Sequence, residues 1–470
     1  MVFHLAQLVN DNLEAPLRVA NVRIEGAHNT RKPFLGWLVR PWLSAHSSSL
    51  PLPSSSENPF AKSNTSSLDP FPHHPTLKSV LHTARGIGSV LQDTDIFKSV
   101  DARIEASRDP QAAPGDVDIV FKTREKGKFY LKTATEFGHN DGNASATGRI
   151  RNALGGGETV EANVSFGTKT RRAYHALFAV PLSPDLRTRG ELSLYGLERD
   201  LSSYASASEG LRGIRAAIRS DQGALGVHEV AYDAVLRHIG SLTSSASISM
   251  RESAGQTFKS ALSHSWTLDT RDAGARIAAA RGMLAKFSHE LAGVGPLGGD
   301  ASFYKAEGET QASRVLFPGL SASVSARAGI LHHFTGKSHF SDRFQLGGPL
   351  SVRSFRANSL GPRDGPDSLG GDLYWATGLS LISDLPYKPH WPLKLHAFVN
   401  AGRLDAMDRT KSLADNVSAC VRAPSVSAGV GLLYRFDPVR VEVNFGVPLV
   451  ASKSDGLRKG VQVGIGIDFL

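Results

Sequence analysis

The sequence predicts a transmembrane β-barrel of about sixteen antiparallel strands behind one small N-terminal α/β domain, and three observations carry that expectation. From Phe129 almost to the last residue, apolar and polar residues alternate with a period of two. The alternating runs number about seventeen, each near the nine to eleven residues that a tilted membrane strand needs. No run approaches the eighteen or so consecutive apolar residues of a membrane helix. The mean hydropathy is -0.17, as it must be when the two faces of a strand cancel in the average.

Composition narrows the remaining classes. The 470 residues include 53 Lys+Arg and 44 Asp+Glu, a formal charge of +9, but the cations are spread without the compact basic block of a nucleic-acid patch, so no nucleic-acid partner is expected. Cys420 is alone, which excludes an intramolecular disulfide. Met1 to Asn12 lacks the basic head, apolar core and small-residue cleavage site of a secretory signal, and residues 1–15 are read as an N-terminal tail.

Residues 16–126 read as the small α/β domain. Leu17, Val19, Val22 and Ile24 form a strand ending at Glu25-Gly26, and Thr30 is placed to cap a helix through Trp37 to Trp42. From 44 to 75 the chain turns to Ser, Pro and Asn, which cannot bury a core and reads as a flexible insertion. Leu77, Val80, Leu81, Ala84 and Ile87 resume at helical spacing, and strands at Phe97 to Ala106 and Val117 to Arg124 flank a turn rich in Asp and Pro. Strand, helix, helix, strand, strand is the order of one polypeptide-transport-associated module.

Residues 127–470 read as the barrel. Ala144, Ala146, Gly148 and Ile150 alternate with Ser145, Thr147, Arg149 and Arg151; Val439, Val441, Val443, Phe445 and Val447 alternate with Arg440, Glu442, Asn444 and Gly446. Closure removes the open edges that so many long strands would otherwise expose. Arg149, Arg151, Arg440 and Glu442 are expected to point into a watery lumen. Sixteen strands are expected, with the run near Leu242 to Met250 assigned to a neighbour or a loop.

One stretch breaks the alternation. Phe344 to Trp375 is too long for a hairpin loop and rich in Gly, Pro and charge, yet it holds Leu346, Leu350, Val352, Phe355, Leu360 and Leu369. Those apolar residues indicate a loop, set at 341–371, that packs inside the barrel.

LGGPLSVRSF followed by GPRDGPDSLGGDLYWATGLSL resembles the loop and next strand of the barrel subunit of the mitochondrial sorting and assembly machinery, in the outer-membrane β-barrel insertase superfamily (bacterial surface antigen family). LRVANVRIEGA, LKTATEFG, RIRNALGGGETVEANVSFGTKTR and SHELAGVGPLGGD extend the likeness over nearly the whole chain. The resemblance implies an insertase of the mitochondrial outer membrane that takes β-barrel precursors, works with accessory subunits in membrane lipid, and holds its N-terminal domain in the intermembrane space. It implies a lateral gate between the first and last strands, here Phe129, Leu131, Thr133, Thr135 and Phe137 against Gln462, Gly464, Ile467 and Phe469. Gln462-x-Gly464-x-x-Ile467-x-Phe469 also matches the terminal β-signal of mitochondrial barrel proteins, although an ordinary edge strand carries the same pattern. It further implies a lumenal latch of Val352, Arg353, Ser354 and Phe355, the alternative being a solvated loop arginine; a buried Arg353 needs an acid or carbonyls, and Asp372 and Asp384 are the candidate partners between which sequence does not choose. Ser354 stands where the family usually has Gly, so a backbone with positive φ would be strained there.

No enzyme, cofactor or metal site is read. His73-His74 and His332-His333 lack ligand spacing, and Gly155-Gly156-Gly157 lacks the Lys-Ser/Thr of a phosphate loop. A bacterial-type insertase, which normally brings a signal peptide and several tandem modules, and a passive outer-membrane pore remain the competing readings.

Overall fold

The computed structural model describes residues 9–47, 76–138, 141–271, 282–336, 338–349, 351–388, 391–436 and 439–466. It divides into two compact units, 1–130 with 149–160 and 179–189, and the remainder.

The first unit holds a three-stranded sheet of β1 (Arg18–Glu25), β2 (Phe97–Ala106) and β3 (Asp116–Glu125), backed by α1 (Lys32–Ser47) and α2 (Leu77–Asp93). The order is β1-β3-β2, with β1 and β3 parallel, so β3 is central. Its run Val117 to Phe121 is buried accordingly. Leu35, Leu38, Val39, Val80, Ile87, Leu91 and Phe121 make the core. Gly86 of α2 is required by close approach, because a Cβ there would come within 2.2 Å of the Trp42 ring. Two details differ from the sequence expectation. Thr30 does not cap α1: its hydroxyl donates to Glu125 Oε1 at 2.7 Å and accepts from Asn152 Nδ2 at 2.9 Å. The helix continues to Ser47, three residues past the expected start of the insertion, and carries Pro41 within it. The rest of that insertion, with His73-His74, lies outside the described residues.

The joint with the barrel belongs to this unit. Glu125 accepts the Asn29 N–H at 3.0 Å and the Asn29 amide at 2.7 Å, and the Arg31 N–H donates to Gly155 O at 2.8 Å. Asp95 pairs with Lys126 and with Arg151 at 3.1 Å, and Arg151 lies over the Tyr130 ring. Arg151 was expected in lumenal water; at the last position of its strand it meets an acid of the module instead. Burial pushes both the Asp95 and Glu125 carboxyls up, but Lys126 and Arg151 for the first, and Thr30 and Asn29 for the second, outweigh it and hold both below their ordinary values.

The second unit contains most of the barrel. Its strands are β4 (Phe129–Gly138), β5 (Asp141–Arg151), β6 (Thr159–Gly167), β7 (Thr170–Pro181), β8 (Thr188–Asp200), β9 (Ser208–Asp221), β10 (Val227–Gly240), β11 (Gly255–Asp269), β12 (Gly282–Ala292), β13 (Phe303–Phe317) and β14 (Leu320–His333). After the long loop, which carries the short hairpin β15 (Arg363–Asp364) and β16 (Asp367–Ser368), come β17 (Leu373–Asp384), β18 (Leu393–Asp405), β19 (Ser425–Phe436), β20 (Val439–Val450) and β21 (Gly460–Gly466). The sixteen-stranded sheet runs β21-β20-β19-β18-β17-β14, then strand by strand to β4. Residues 242–247 are loop and lead into α3 (Ile248–Glu252), so this run adds no strand.

Alternation decides the faces. On β14, Val324 is exposed while Ser321 and Ser323 are buried; on β10, Asp233 and Arg237 are buried while Val230 and Tyr232 are exposed. The outward rows are mainly apolar, as a bilayer favours, with His264 and His289 among them, and the inward rows carry ion pairs such as Arg215–Asp233 at 2.7 Å and Arg327–Glu309 at 2.9 Å.

Candidate functional site: a lumenal loop tied to the last strands

The loop spans 334–372, and most of its described apolar residues are buried against the inner wall, Leu369 being half-buried and Leu350 lying outside the described residues. Phe344, Leu346, Val352, Phe355 and Leu360 form one cluster with Phe303, Leu331, Tyr374 and Leu404. Leu373 to Trp375, placed with the loop by sequence, already belong to β17.

Arg353, 4% exposed, is seated at the centre. Its Nη2 and Nε donate to Glu442 Oε2 at 2.8 and 3.2 Å, its Nη1 donates to Asn400 Oδ1 at 3.3 Å, and its guanidinium lies 5.0 Å from the Phe398 ring centroid. The acid is therefore Glu442 of β20, not Asp372 or Asp384. Asp384 pairs with Lys394, and Asp372 lies 3.6 Å from His333 and accepts the Met407 N–H at 3.2 Å. Burial works to raise the Asp372 carboxyl; His333 and the Met407 N–H hold it below its ordinary value. Glu442 is 1% exposed, so this residue too leaves the expected lumenal water for a dry niche. A buried cation needs such a partner, because an isolated charge in that setting is very costly.

Small residues make the niche. Phe398, Gly429 and Gly446 share a register row across β18, β19 and β20. A Cβ at Gly429 would stand 2.6 Å from the Phe398 ring, and one at Gly446 would stand 2.3 Å from Ser354 Oγ. Ser354 has φ +67°, the left-handed region in which glycine is at ease and serine is strained. Its Oγ is buried without a hydrogen-bond partner, so the side chain contributes no bond to offset that strain.

The backbone of the loop tip is held by the last strand. Gln462 Oε1 accepts the Ser354 N–H at 2.8 Å and Gln462 Nε2 donates to Phe355 O at 2.9 Å. The approach to β21 adds three bonds, from Arg458 N–H to Ser354 O, Arg356 N–H to Gly456 O and Gly456 N–H to Ser359 O, at 3.0, 2.8 and 3.0 Å. One side-chain amide and a short turn thus join residues 354–359 to 456–462. Gln462 was singled out by sequence as a strand-signal residue, and its bonding to the loop was missed.

The strands named as a gate are the two ends of the sheet order. Phe129 and Leu131 are 79% and 75% exposed, Tyr130, Lys132, Thr133 and Thr135 are exposed as well, and only Ala134 is half-buried in that stretch. Both faces of β4 are thus accessible over 129–135. β21 pairs with β20 from Gly446↔Gly460 to Arg440↔Gly466. Its Val461 and Val463 are exposed outward, while Gln462 and Gly464 are buried inward. Ile467 and Phe469, and the side chain of Phe137, lie outside what is described. Among the described residues no group of three or more His, Cys, Asp or Glu is placed to hold a metal ion.

An Omp85 superfamily domain matches residues 152–469. A SAM50-like protein of Schizosaccharomyces pombe is 32% identical over 473 residues, covering 99% of this chain and 94% of its own. The human sorting and assembly machinery component 50 homolog is 33% identical over 385 residues, 80% of each chain. Among solved structures, BamA from Haemophilus ducreyi lacking POTRA domains 1–3 aligns with a TM-score of 0.75 at 17% identity, covering 96% of this chain and 85% of that one, a likeness of fold.

Proposed function

The chain belongs to the Omp85 superfamily, and on that premise we propose that it is an insertase of the mitochondrial outer membrane, which folds β-barrel precursors into the bilayer through a lateral gate between β4 and β21. The observation that carries the reading is the state of β4, an end strand with both faces accessible.

A backbone group left without a partner in lipid costs several kcal/mol, so the gate opens only as another strand replaces the bonds being lost. The incoming strand is the C-terminal β-signal of the precursor. It docks on β4 by β-augmentation, main-chain bonds giving affinity and tolerance of sequence. Because like bonds are exchanged for like, no nucleotide is consumed. The loop held by Arg353, Glu442 and Gln462 keeps the last strands in register on the other side of the gate. Accessory subunits of the sorting and assembly complex act with it, and the N-terminal module faces the intermembrane space. The reading calls for no catalytic residue.

Single cysteines along 129–137 and 460–466, in chains reconstituted with an arrested radiolabelled barrel precursor, test this. Crosslinks from β4 to the precursor's last strand, shifting by two residues as the cysteine shifts by two, support the gate. Crosslinks confined to the lumenal loop, or none from either strand, refute it.

A further inference from the structure

On the outer wall, Phe287, Gly308, Ala328 and Trp375 stand in one register row across β12, β13, β14 and β17. Two positions with at most a methyl group therefore lie between two aromatic side chains, over three strand spacings, about 14 Å. The next outward row continues the floor with Ala306, Ile330 and Leu373.

Above this hollow lies α4 (Leu413–Arg422), in the segment between β18 and β19. Ser412 caps its first turn by accepting the Asp415 N–H at 3.1 Å, and Trp375 Nε1 donates to Cys420 O at 3.1 Å, which pins the helix to the wall. Leu413, Val417, Cys420 and Val421 fall on one face. Cys420 is buried, whereas Leu413, Val417 and Val421 are 53%, 40% and 55% exposed. Between helix and wall a groove of about 460 Å³ remains. It lies on the same outward face of β14 and β17 as exposed Val324, Leu379 and Leu381, a few rows further along the strands.

We propose that this groove is a binding site for a phospholipid acyl chain, with α4 lying in the headgroup layer as its roof. Three arguments select that occupant. The lining is almost wholly apolar, and a peptide would bring backbone N–H and C=O groups that this lining cannot satisfy. The volume suits a slender ligand of small-molecule size, not a helix 10–12 Å across. The groove is continuous with the lipid-facing belt, so an acyl chain reaches it without leaving the membrane. An amphipathic helix with branched aliphatic residues on one face lies at that depth. This inference depends on the membrane barrel and not on the insertase reading.

The test uses the full chain in liposomes containing phosphatidylcholine with a diazirine on one acyl chain, and in parallel a diazirine fatty acid. After irradiation, peptides containing 306–308, 328–330 and 413–421 carry more phospholipid label than the equally outward 379–381. Ala328→Leu, which fills the floor, and Val417→Asp, which makes the roof polar without touching the barrel, each reduce groove label to the 379–381 level. Heat-modifiable migration of both variants reports that the barrel is folded. Uniform labelling of the outer wall, groove label insensitive to both substitutions, label from the fatty acid alone, or crosslinks to a second copy of the chain would each overturn the proposal.

Discussion

Replacing Arg353 by alanine removes a buried cation whose Nη2 and Nε reach Glu442 Oε2 at 2.8 and 3.2 Å. Glu442, at 1% exposure, then keeps the Asn444 amide, which donates to the same oxygen at 2.9 Å, but loses its counter-charge. Breaking a buried pair from one side costs about 3–5 kcal/mol. With the Asn444 bond retained, the lower end applies, about 3 kcal/mol, or roughly two orders of magnitude in the docking equilibrium of the loop. The assay is urea unfolding of the detergent-solubilised barrel followed by heat-modifiable migration, with limited proteolysis across 344–372 as a local readout. Glu442→Gln supplies the cycle: the double variant leaves no buried charge and should be more stable than the sum of the single losses by about 2 kcal/mol. A variant R353A within about 0.5 kcal/mol of the parent, or strict additivity in the cycle, would show that the pair does not hold the loop.

Three further outcomes are expected. Ser354→Gly should stabilise the docked loop by about 1 kcal/mol, by relieving a left-handed serine and removing a buried hydroxyl without a partner; slower amide exchange at residues 354–356 reads it out. Gln462→Leu removes both amide bonds to the loop tip and leaves the Ser354 N–H and Phe355 C=O buried, a loss of about 2–3 kcal/mol that appears as faster proteolysis near 354 with the barrel still folded. At the joint, Asp95 and Glu125 are held below their ordinary values. Their stabilising contribution is therefore complete only above their ordinary values, above about pH 5, and is lost as the pH falls below those values and through the lowered folded-state ones; exchange protection at residues 29–31 should decline over that range, and less steeply in Glu125→Gln.

How far these features could be read from sequence followed the range of the interactions. Alternation in β20 and β21 is a local property, so Val443 and Val461 could be assigned outward and Asn444 and Gln462 inward from neighbours alone. The apolar residues Leu346, Val352 and Phe355 likewise marked a loop with an interior to fill. The acid for Arg353 lies 89 residues away on another strand, and several acids satisfy the same chemistry. Asp372 and Asp384 were nearer in the chain, and sequence distance is no guide to which lumenal position a loop tip reaches. Glu442 could have been found from one signal: an acid on the inward face beside Gly446, where the glycine makes room for the loop. Arg151 shows the same limit, for its acid belongs to a different domain. Thr30 had the composition of a helix cap, but the Glu125 carboxylate competes for the same hydroxyl and offers the stronger, charge-assisted bond.

The proposed seam between β4 and β21, the two ends of the sheet order, is where the account is most exposed to test. Cysteine pairs scanned across 129–137 and 460–466 and joined by a short bifunctional crosslinker would lock it, with buried Cys420 outside the reaction. The account predicts that insertion of a radiolabelled barrel precursor into liposomes stops when the seam is crosslinked and returns when a cleavable linker is cut. Insertion at the parental rate through a quantitatively crosslinked seam would contradict it.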